Sequence, residues 1–247
     1  MKLVMSSWLE IEDYLKTSDG VIIPTGSIEQ HGPMGLIGTD MICADEIASE
    51  VAKQVDALIT PPIAYAPAEF NMDFPGTISL PSELYQNMCL EIFRSLERHG
   101  FRHIYILNGH GANLEPLNKA AEVLKLSRYR IKSWWEFKEV NDLRQRLYGE
   151  REGMHATPSE VSITQFTHRT VRHFETGFRK LETSYYQDHA GDNHQDAAQH
   201  RSQFPTGAVG SDPTLANSKD GKNLLELASN ALVSDYTHFT ASNSAGK

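Results

Sequence analysis

Short apolar runs alternate with segments of helical periodicity along most of this chain, and this alternation limits the fold more than any other feature. The run GVIIPTG at 20–26 is typical of a buried strand that ends in a turn. The segment 40–55 carries Ile42, Ile47 and Val51 at helical spacing. Strands joined by helices pair in parallel, and a parallel sheet is covered on both faces. The pattern therefore predicts an α/β fold with a mostly parallel sheet between helices.

The other elements follow from the same two periodicities. In the helix predicted at 80–101 an apolar residue recurs every fourth position, Gly100 is placed to end the helix, and Cys89 is expected in the core. The apolar stripe consists of Leu84, Met88, Ile92 and Leu96. Further predictions are a strand at 57–66, a strand, turn and helix over 102–126, a strand at 129–137, and helices that begin at 157 and at 218.

Charge and cysteine content exclude several classes of partner. The chain has 23 basic and 32 acidic residues, a formal net charge of −9. Such a surface repels phosphate backbones, so we expect no nucleic-acid partner. No apolar run approaches the length of a bilayer span, and the acidic N-terminal stretch is unlike a signal peptide. Two cysteines make no disulfide framework. We therefore predict a single domain over 1–247, in the cytoplasm and without a membrane partner.

Glu29, His31 and Asp40 lie within twelve positions, after the first predicted strand. Residues two apart in extended backbone point to the same side, so Glu29 and His31 project together. The glycines and proline of 32–38 let the chain turn back towards them, and Thr39 or Asp40 is placed to cap the next helix. Ligands of open α/β sheets collect beyond the carboxyl ends of strands. A functional role is therefore favoured over a solvated turn.

Two later segments add candidates. His110 follows another predicted strand, and the glycines on both sides of it permit close backbone approach, so we favour a ligand over an inert loop histidine. The segment from Thr157 to Glu160 fits a capping box with proline at the first helical position. Taken alone, Glu160 is therefore a cap more readily than a ligand. His155 lies outside that helix and is free to act as a general acid or base.

Together these side chains form a donor set for divalent metal. Two histidines and three carboxylates suit Zn²⁺, Mn²⁺ or Fe²⁺. Five ligands exceed the roughly three that one catalytic zinc takes from protein. They suit a pair of ions that share a carboxylate, and Asp40, which arrives from a separate segment, is the natural bridge. The five candidates are Glu29, His31, Asp40, His110 and Glu160.

Two other regions permit more than one interpretation. The polar segment 185–205 is predicted to be a long loop or insertion, in which His189, His194 and His200 are solvated or, as the less favoured alternative, form a second metal site. Trp134 and Trp135, at the end of a predicted strand, are either core residues or an aromatic wall of a substrate site.

Four motifs occur in order over most of the chain: PTGSIEQHGP with the TD that follows it, FPGTISL, NGHGAN and HATPSE. In this order they resemble the creatininase (creatinine amidohydrolase) family, and GSDPTLANSKDG resembles its C-terminal signature. The resemblance implies a three-layer α/β/α sandwich, two divalent ions per chain (Zn, Mn or Fe) and a homo-oligomer, which in this family is often a hexamer. It also implies that a metal-activated water cleaves the C–N amide bond of a small cyclic amide, formamide or similar substrate; one branch processes a peptide.

The resemblance implies a role for each candidate. The ligands would divide into two sets that share one carboxylate: Glu29, Asp40 and His110 for one ion, and His31, Asp40 and Glu160 for the other. His155 matches the catalytic histidine, which carries a proton during amide hydrolysis.

The chain departs from true creatinine hydrolases at two places. Those enzymes carry Tyr-Glu where this chain has Gly111 and Ala112, and an aromatic–acid pair where this chain reads REGMH at 151–155. We therefore expect creatinine to be a poor substrate. Two other functions stay open: a metal-binding protein of this fold without turnover, and a metal-dependent isomerase or lyase acting on a sugar-like substrate.

Overall fold

The computed structural model describes residues 1–125, 127–171 and 196–241, and parallel strands form the sheet at its centre. β1 pairs with β3 along its whole length, from Gly20 opposite His103 to Thr25 opposite Asn108. These two strands therefore end side by side. The strands are β1 (Gly20–Thr25), β2 (Leu58–Ile59), β3 (His103–Asn108) and β4 (Arg128–Ser133), in the spatial order β2-β1-β3-β4.

Helices cover both faces of the sheet. Alternate residues of a strand point to opposite faces. Accordingly, Ile22 of β1 packs in one core cluster while Val21 and Ile23 pack in the other. The helices are α1 (Trp8–Tyr14), α2 (Thr39–Val51), α3 (Ser82–His99), α4 (Leu114–Ala121), α5 (Lys138–Tyr148), α6 (Pro158–Thr167), α7 (Ala197–Gln203) and α8 (Ser218–Ala241).

The two core clusters define the layers. The cluster around Ile22 contains side chains of α2, α5, α6 and α8, and the cluster around Val21 contains side chains of α1, α3 and α4. All residues of β1 and β3 are buried, as expected for strands covered on both faces. The predicted three-layer α/β/α sandwich with a parallel sheet is confirmed. That 1–247 forms a single domain stays a prediction.

The predicted apolar stripe of α3 is wrong in part. The face that is buried consists of Tyr85, Cys89, Phe93 and Leu96, whereas Leu84 is 53% exposed. The adjacent face carries the two aromatic rings and buries more apolar area. The predicted core position of Cys89 and the C-terminal Gly100, with φ of 106°, are confirmed.

Other element boundaries also differ from the sequence predictions. β2 ends at Ile59, because Pro61 and Pro62 follow. β4 ends at Ser133, and Trp134–Glu136 form a 3-10 turn instead of continuing the strand. No side chain caps α2, whose N-cap position is Gly38.

No helix in the described parts of the chain is both long and apolar enough to cross a membrane.

Two glycines let the first turn of α2 approach the ends of β1 and β3. A Cβ on Gly26 would collide with the backbone of Met41, and one on Gly109 would collide with the carbonyl oxygen of Asp40. The amide of Gly109 also donates to the carbonyl of Thr25, at 2.8 Å. Asp40 is therefore set into the junction of the two strands by backbone contacts that leave no space for a side chain.

We expect Gly109→Ala to destabilise the protein, because an added methyl group must push α2 away from the sheet. Overpacking of this kind typically costs about 1–3 kcal/mol. Gly111→Ala is the matched control, since a Cβ there meets nothing within 4 Å. Urea unfolding followed by circular dichroism measures both. Equal urea midpoints for the two variants would contradict the close packing of α2 against the ends of β1 and β3.

Candidate metal centre

Five side chains from three segments converge beyond the carboxyl ends of β1 and β3. The connection from β1 to α2 supplies three of them, the turn after β3 one, and the first turn of α6 the last. All are buried, with exposed fractions of 7% or less. They are Glu29, His31, Asp40, His110 and Glu160. The structure thus brings together all five candidates of the sequence analysis, while their role as ligands stays a prediction.

Asp40 lies at the centre of this cluster. Its Oδ1 is 2.8 Å from Nε2 of His31, and its Oδ2 is 2.8 Å from Nδ1 of His110. The hydroxyl of Ser27 donates to Oδ2 at 2.9 Å. Each carboxylate oxygen therefore faces a different histidine, which is the arrangement that a bridging ligand needs.

The donor atoms fall into three groups whose members lie within 4.8 Å of one another. One group is Glu29, Asp40 and His110, and the second is His31, Asp40 and Glu160. These groups have the same composition as the two ligand sets implied by the family resemblance. The third group joins Glu29 and His31 to His155, so geometry alone does not separate His155 from the ligand candidates.

Both histidines of the candidate ligand set are oriented by backbone carbonyls. Nδ1 of His31 donates to the carbonyl of Glu29 at 3.1 Å, and Nε2 of His110 donates to the carbonyl of Pro67 at 2.7 Å. With those ring nitrogens protonated, the other nitrogen of each ring faces Asp40. Outer hydrogen bonds of this kind fix the tautomer of metal-binding histidines.

The turn that carries His110 is held by Asn108. The Asn108 amide donates to the carbonyl of His110 at 2.8 Å, and its oxygen accepts from the His110 N–H at 3.2 Å and from the Thr25 hydroxyl at 3.0 Å. Glycines on both sides of His110 leave the backbone free to make this turn.

The charges of the cluster are strongly coupled. Burial works to lower the pKa of His31, but the Asp40 carboxylate, with Glu160 and Glu29, outweighs it and raises the pKa to about 10. Burial works to raise the pKa of Asp40, but His31 and His110 hold it well below its usual range. Burial raises the pKa of Glu160 to about 7, against the opposing effect of His31. Without metal, protonated histidines therefore balance part of the carboxylate charge.

The residues present fit a divalent metal centre. Three carboxylates are buried together, and within the described ranges no Lys or Arg forms an ion pair with them. Oε1 of Glu29 is buried and lies 3.2 Å from Nδ1 of His110, without the geometry of a hydrogen bond. Buried carboxylates are costly unless a counter-charge is close, and divalent cations supply it with this mixture of oxygen and nitrogen donors.

Glu160 combines the two roles that the sequence analysis weighed against each other. Its Oε1 accepts from the N–H of Thr157 at 2.6 Å, and the Thr157 hydroxyl accepts from the Glu160 N–H at 3.3 Å, which completes the predicted capping box. The same Oε1 lies 3.9 Å from Nε2 of His31. The cap therefore also holds the carboxylate against the cluster.

His155 lies at the edge of the cluster and is mostly buried. Its Nε2 donates to the carbonyl of Gln30 at 2.7 Å, and its Nδ1 lies 3.5 Å from Oε1 of Glu29. Burial, with the nearby His31, lowers the pKa of His155 to about 4, so the ring is neutral near pH 7. The next residue, Ala156, has φ of 54°, a conformation that costs a non-glycine residue about 1–3 kcal/mol and is frequent at functional sites.

The sequence analysis missed two residues that support Glu29 and His155. Asn71 donates to Oε2 of Glu29 at 3.0 Å and accepts from the Gln30 amide at 2.7 Å. The same Gln30 amide lies 3.0 Å from Nε2 of His155. Asn71 belongs to the connection between β2 and α3, and its only sequence signal is its place just before the FPGTISL motif.

A cavity of about 370 Å³ opens onto the cluster. Asp40, His110, His155 and Glu160 line one part of it, and Trp134 and Trp135 line another. Trp134 is also buried in the core. Trp134 therefore belongs to the core and also to the cavity wall, and its role in a substrate site stays a prediction.

The prediction that His200 is solvated is wrong. His200 is fully buried in α7, where its ring packs 5.4 Å from Phe70 and 5.2 Å from Phe204. These rings come from distant segments, so the polar composition of 185–205 gave no sign of them. His189 and His194, and the predicted loop before residue 196, lie outside the described residues.

Comparison with known proteins was made on sequence and on structure. The family profile for creatininase, described as creatinine amidohydrolase, matches residues 5–235. The mycofactocin precursor peptide peptidase of Mycolicibacterium smegmatis is 35% identical over 42% of this chain and 44% of its own length. The creatinine amidohydrolase of Pseudomonas putida is 28% identical over 58% and 61%. The chain spans about half the length of the curated relatives it matches.

Solved structures share the fold. A mutant creatininase described as Zn-Zn type has a TM-score of 0.78 at 22% identity and covers 97% of this chain and 98% of its own. A structure described as creatininase Mn has a TM-score of 0.77 at 22% identity, with the same coverage. The three-layer architecture is therefore common to this chain and to proteins whose descriptions name zinc or manganese.

We expect Glu160→Gln to separate the two roles of this residue. Glutamine can keep the capping hydrogen bonds but is an uncharged and poorer metal ligand, so the protein should fold normally and bind fewer divalent ions. Glu160→Ala should lose the cap as well, at a cost of about 0.5–2 kcal/mol in unfolding free energy. Thermal unfolding and elemental analysis of both variants measure this. Full metal content in Glu160→Gln would leave only the capping role.

Proposed function

This chain belongs to the creatininase family, and we propose that it is a metal-dependent hydrolase that cleaves the C–N amide bond of a small substrate. The observation that carries the proposal is the position of Asp40, with one carboxylate oxygen 2.8 Å from each of two histidines that belong to different ligand groups. A single bridging carboxylate of this kind suits a pair of divalent ions.

Five residues would hold the two ions, in the sets described above. Zn²⁺ and Mn²⁺ suit their donors, and Fe²⁺ is chemically similar. Such ions would polarise the amide carbonyl and make water acidic enough to attack near neutral pH. The chain itself supplies a dry and rigid setting, because burial of 93% or more fixes every one of these side chains.

His155 would carry the proton. It lines the cavity and is neutral near pH 7, so it can accept a proton from water and deliver it to the leaving nitrogen. Its hydrogen bond to the Gln30 carbonyl fixes which ring nitrogen holds the proton at rest. The other nitrogen is then the one that accepts.

The chemistry of the cluster narrows the type of reaction more than it narrows the identity of the substrate. The two named relatives act on a precursor peptide and on creatinine, which are very different in size. A cavity of about 370 Å³ accommodates a compact molecule or one end of a longer one. We propose a small amide as substrate, and a cytoplasmic homo-oligomer as the working form.

We expect protein purified without chelator to bind close to two divalent ions per chain, and Asp40→Ala to lose both. Asp45→Ala is the matched control, because Asp45 lies on the same helix and forms only a partly exposed 3.8 Å ion pair with Lys2. Elemental analysis after reconstitution with Mn²⁺ or Zn²⁺ gives the stoichiometry. Full occupancy in Asp40→Ala would rule out the bridge, and a wild-type value well below one would rule out the centre.

We expect His155→Ala to lose roughly 10²–10⁴-fold in kcat, the usual contribution of general acid–base catalysis, while it keeps its metal. His110→Ala should lose metal and activity together. His168→Ala, an exposed histidine at the end of α6, is the control and should behave as wild type. Metal content and turnover are measured side by side on the best amide of a screen. A metal-free His155→Ala protein would instead make His155 a ligand.

We expect creatinine to be turned over more slowly than the best formamide or lactam of the same screen. Gly111 and Ala112 stand where creatinine hydrolases carry Tyr-Glu, and Gly111 lines the cavity without a side chain. A flat ring would therefore lose packing and a polar contact. A creatinine rate equal to the best rate of the screen would contradict this.

A further inference from the structure

The cavity has a second polar feature besides the candidate metal ligands and His155. Arg144 of α5 lines it beside Trp134 and Trp135, and no other Lys or Arg of the described chain does so. The Arg144 side chain is only 12% exposed. Its charge must therefore be paired, because burial of an unpaired charge is costly.

Arg144 is held in one orientation. Its Nε donates to Oε1 of Glu152 at 2.7 Å and lies 3.3 Å from the hydroxyl of Ser159, which itself donates to the same Glu152 oxygen. Its guanidinium carbon lies 5.7 Å from the centre of the Trp134 ring. The group is therefore fixed by a carboxylate on one side and by an aromatic face on the other.

The outer part of this guanidinium is unused. The ion pair and the hydrogen bonds of Arg144 all involve Nε, and within the described ranges neither Nη atom has a partner. A guanidinium presents its N–H groups as a planar fork that matches the two oxygens of a carboxylate. The fork is pre-organised, so little side-chain entropy remains to be lost when it binds.

We propose that Arg144 binds a carboxylate group of the substrate, so that the preferred substrates are small amides that carry a free carboxylate away from the scissile bond. Asp40, His110 and Glu160 of the candidate metal centre line the same cavity as Arg144. A substrate could thus present its amide to the metal centre while its anionic end meets Arg144 and its apolar part lies against the tryptophans. N-acylamino acids have this chemistry. The inference rests on the proposed function for the identity of the reacting end.

The test compares two ligands that differ mainly in the carboxylate: N-benzoylglycine and the neutral N-ethylbenzamide. Calorimetric titration of Mn²⁺-loaded wild-type protein should show at least about tenfold tighter binding of N-benzoylglycine, since a hydrogen-bonded charge pair is worth about 10–100-fold in affinity. In Arg144→Gln the two affinities should differ by less than about twofold. Arg144→Lys should retain only part of the preference, because an ammonium lacks the planar fork.

Two further variants exclude a purely structural effect. Arg146→Gln, on the exposed side of the same helix, should keep the preference of wild type. Arg144→Gln leaves Glu152 buried without its partner, so the double variant Arg144→Gln with Glu152→Gln removes both charges and should lose the preference while it stays folded by circular dichroism.

Several results would overturn the inference. Equal affinity of wild type for the two ligands would do so, as would the full wild-type preference in folded Arg144→Gln or in the folded double variant. If Glu160→Gln abolished the preference for N-benzoylglycine and Arg144→Gln preserved it, the ligand carboxylate would bind the metal and not Arg144. Turnover is not part of the readout. A protein that shows the expected preference and hydrolyses no amide would refute the proposed function and support the carboxylate site.

Discussion

The contact of Asp40 with two histidines is the interaction on which the rest of the site depends. Each oxygen of this buried carboxylate lies 2.8 Å from a ring nitrogen, and those two histidines lie 79 residues apart in the chain. The first turn of α2 can bring Asp40 there only because Gly26 and Gly109 leave room for its backbone between the ends of β1 and β3. The placement of Asp40 therefore depends both on the register of the sheet, which aligns the ends of β1 and β3, and on the two glycines.

Burial of three carboxylates in this position opposes folding, and the surrounding structure is arranged to offset it. Protonated histidines balance part of the charge, and Ser27 and Asn71 donate hydrogen bonds to carboxylate oxygens. One buried oxygen, Oε1 of Glu29, lies 3.2 Å from Nδ1 of His110 without the geometry of a hydrogen bond. The protein therefore balances only part of the negative charge of these carboxylates. A bound cation would supply the remaining positive charge, as in a metal centre.

Several residues carry a structural and a chemical role at once. Glu160 caps α6 and faces His31 with the same oxygen, and Arg144 anchors Glu152 and also lines the cavity. In both cases the structural contact fixes a side chain that solvent would otherwise leave mobile. The rigid placement lowers the entropy lost on binding, which is the advantage of building a site from elements of the scaffold.

The sequence by itself determined the α/β class, the parallel sheet and the segments that form the site, because these depend on local periodicity. The apolar run of β1, the two-residue spacing of Glu29 and His31, and the capping box at Thr157 are encoded within a few residues. It also predicted that the strand ends meet, since parallel strands finish at one edge of the sheet.

Only the tertiary structure decided which face of α3 is buried, that His200 lies among phenylalanines, and that Asn71 and Arg144 reach the site. Asn71 meets a glutamate 42 positions away, and Arg144 owes its orientation to Glu152 and Trp134. Such contacts arise when whole elements pack together. Packing depends on the shape fit and the buried area of many residues at once, and a short sequence pattern does not contain this information.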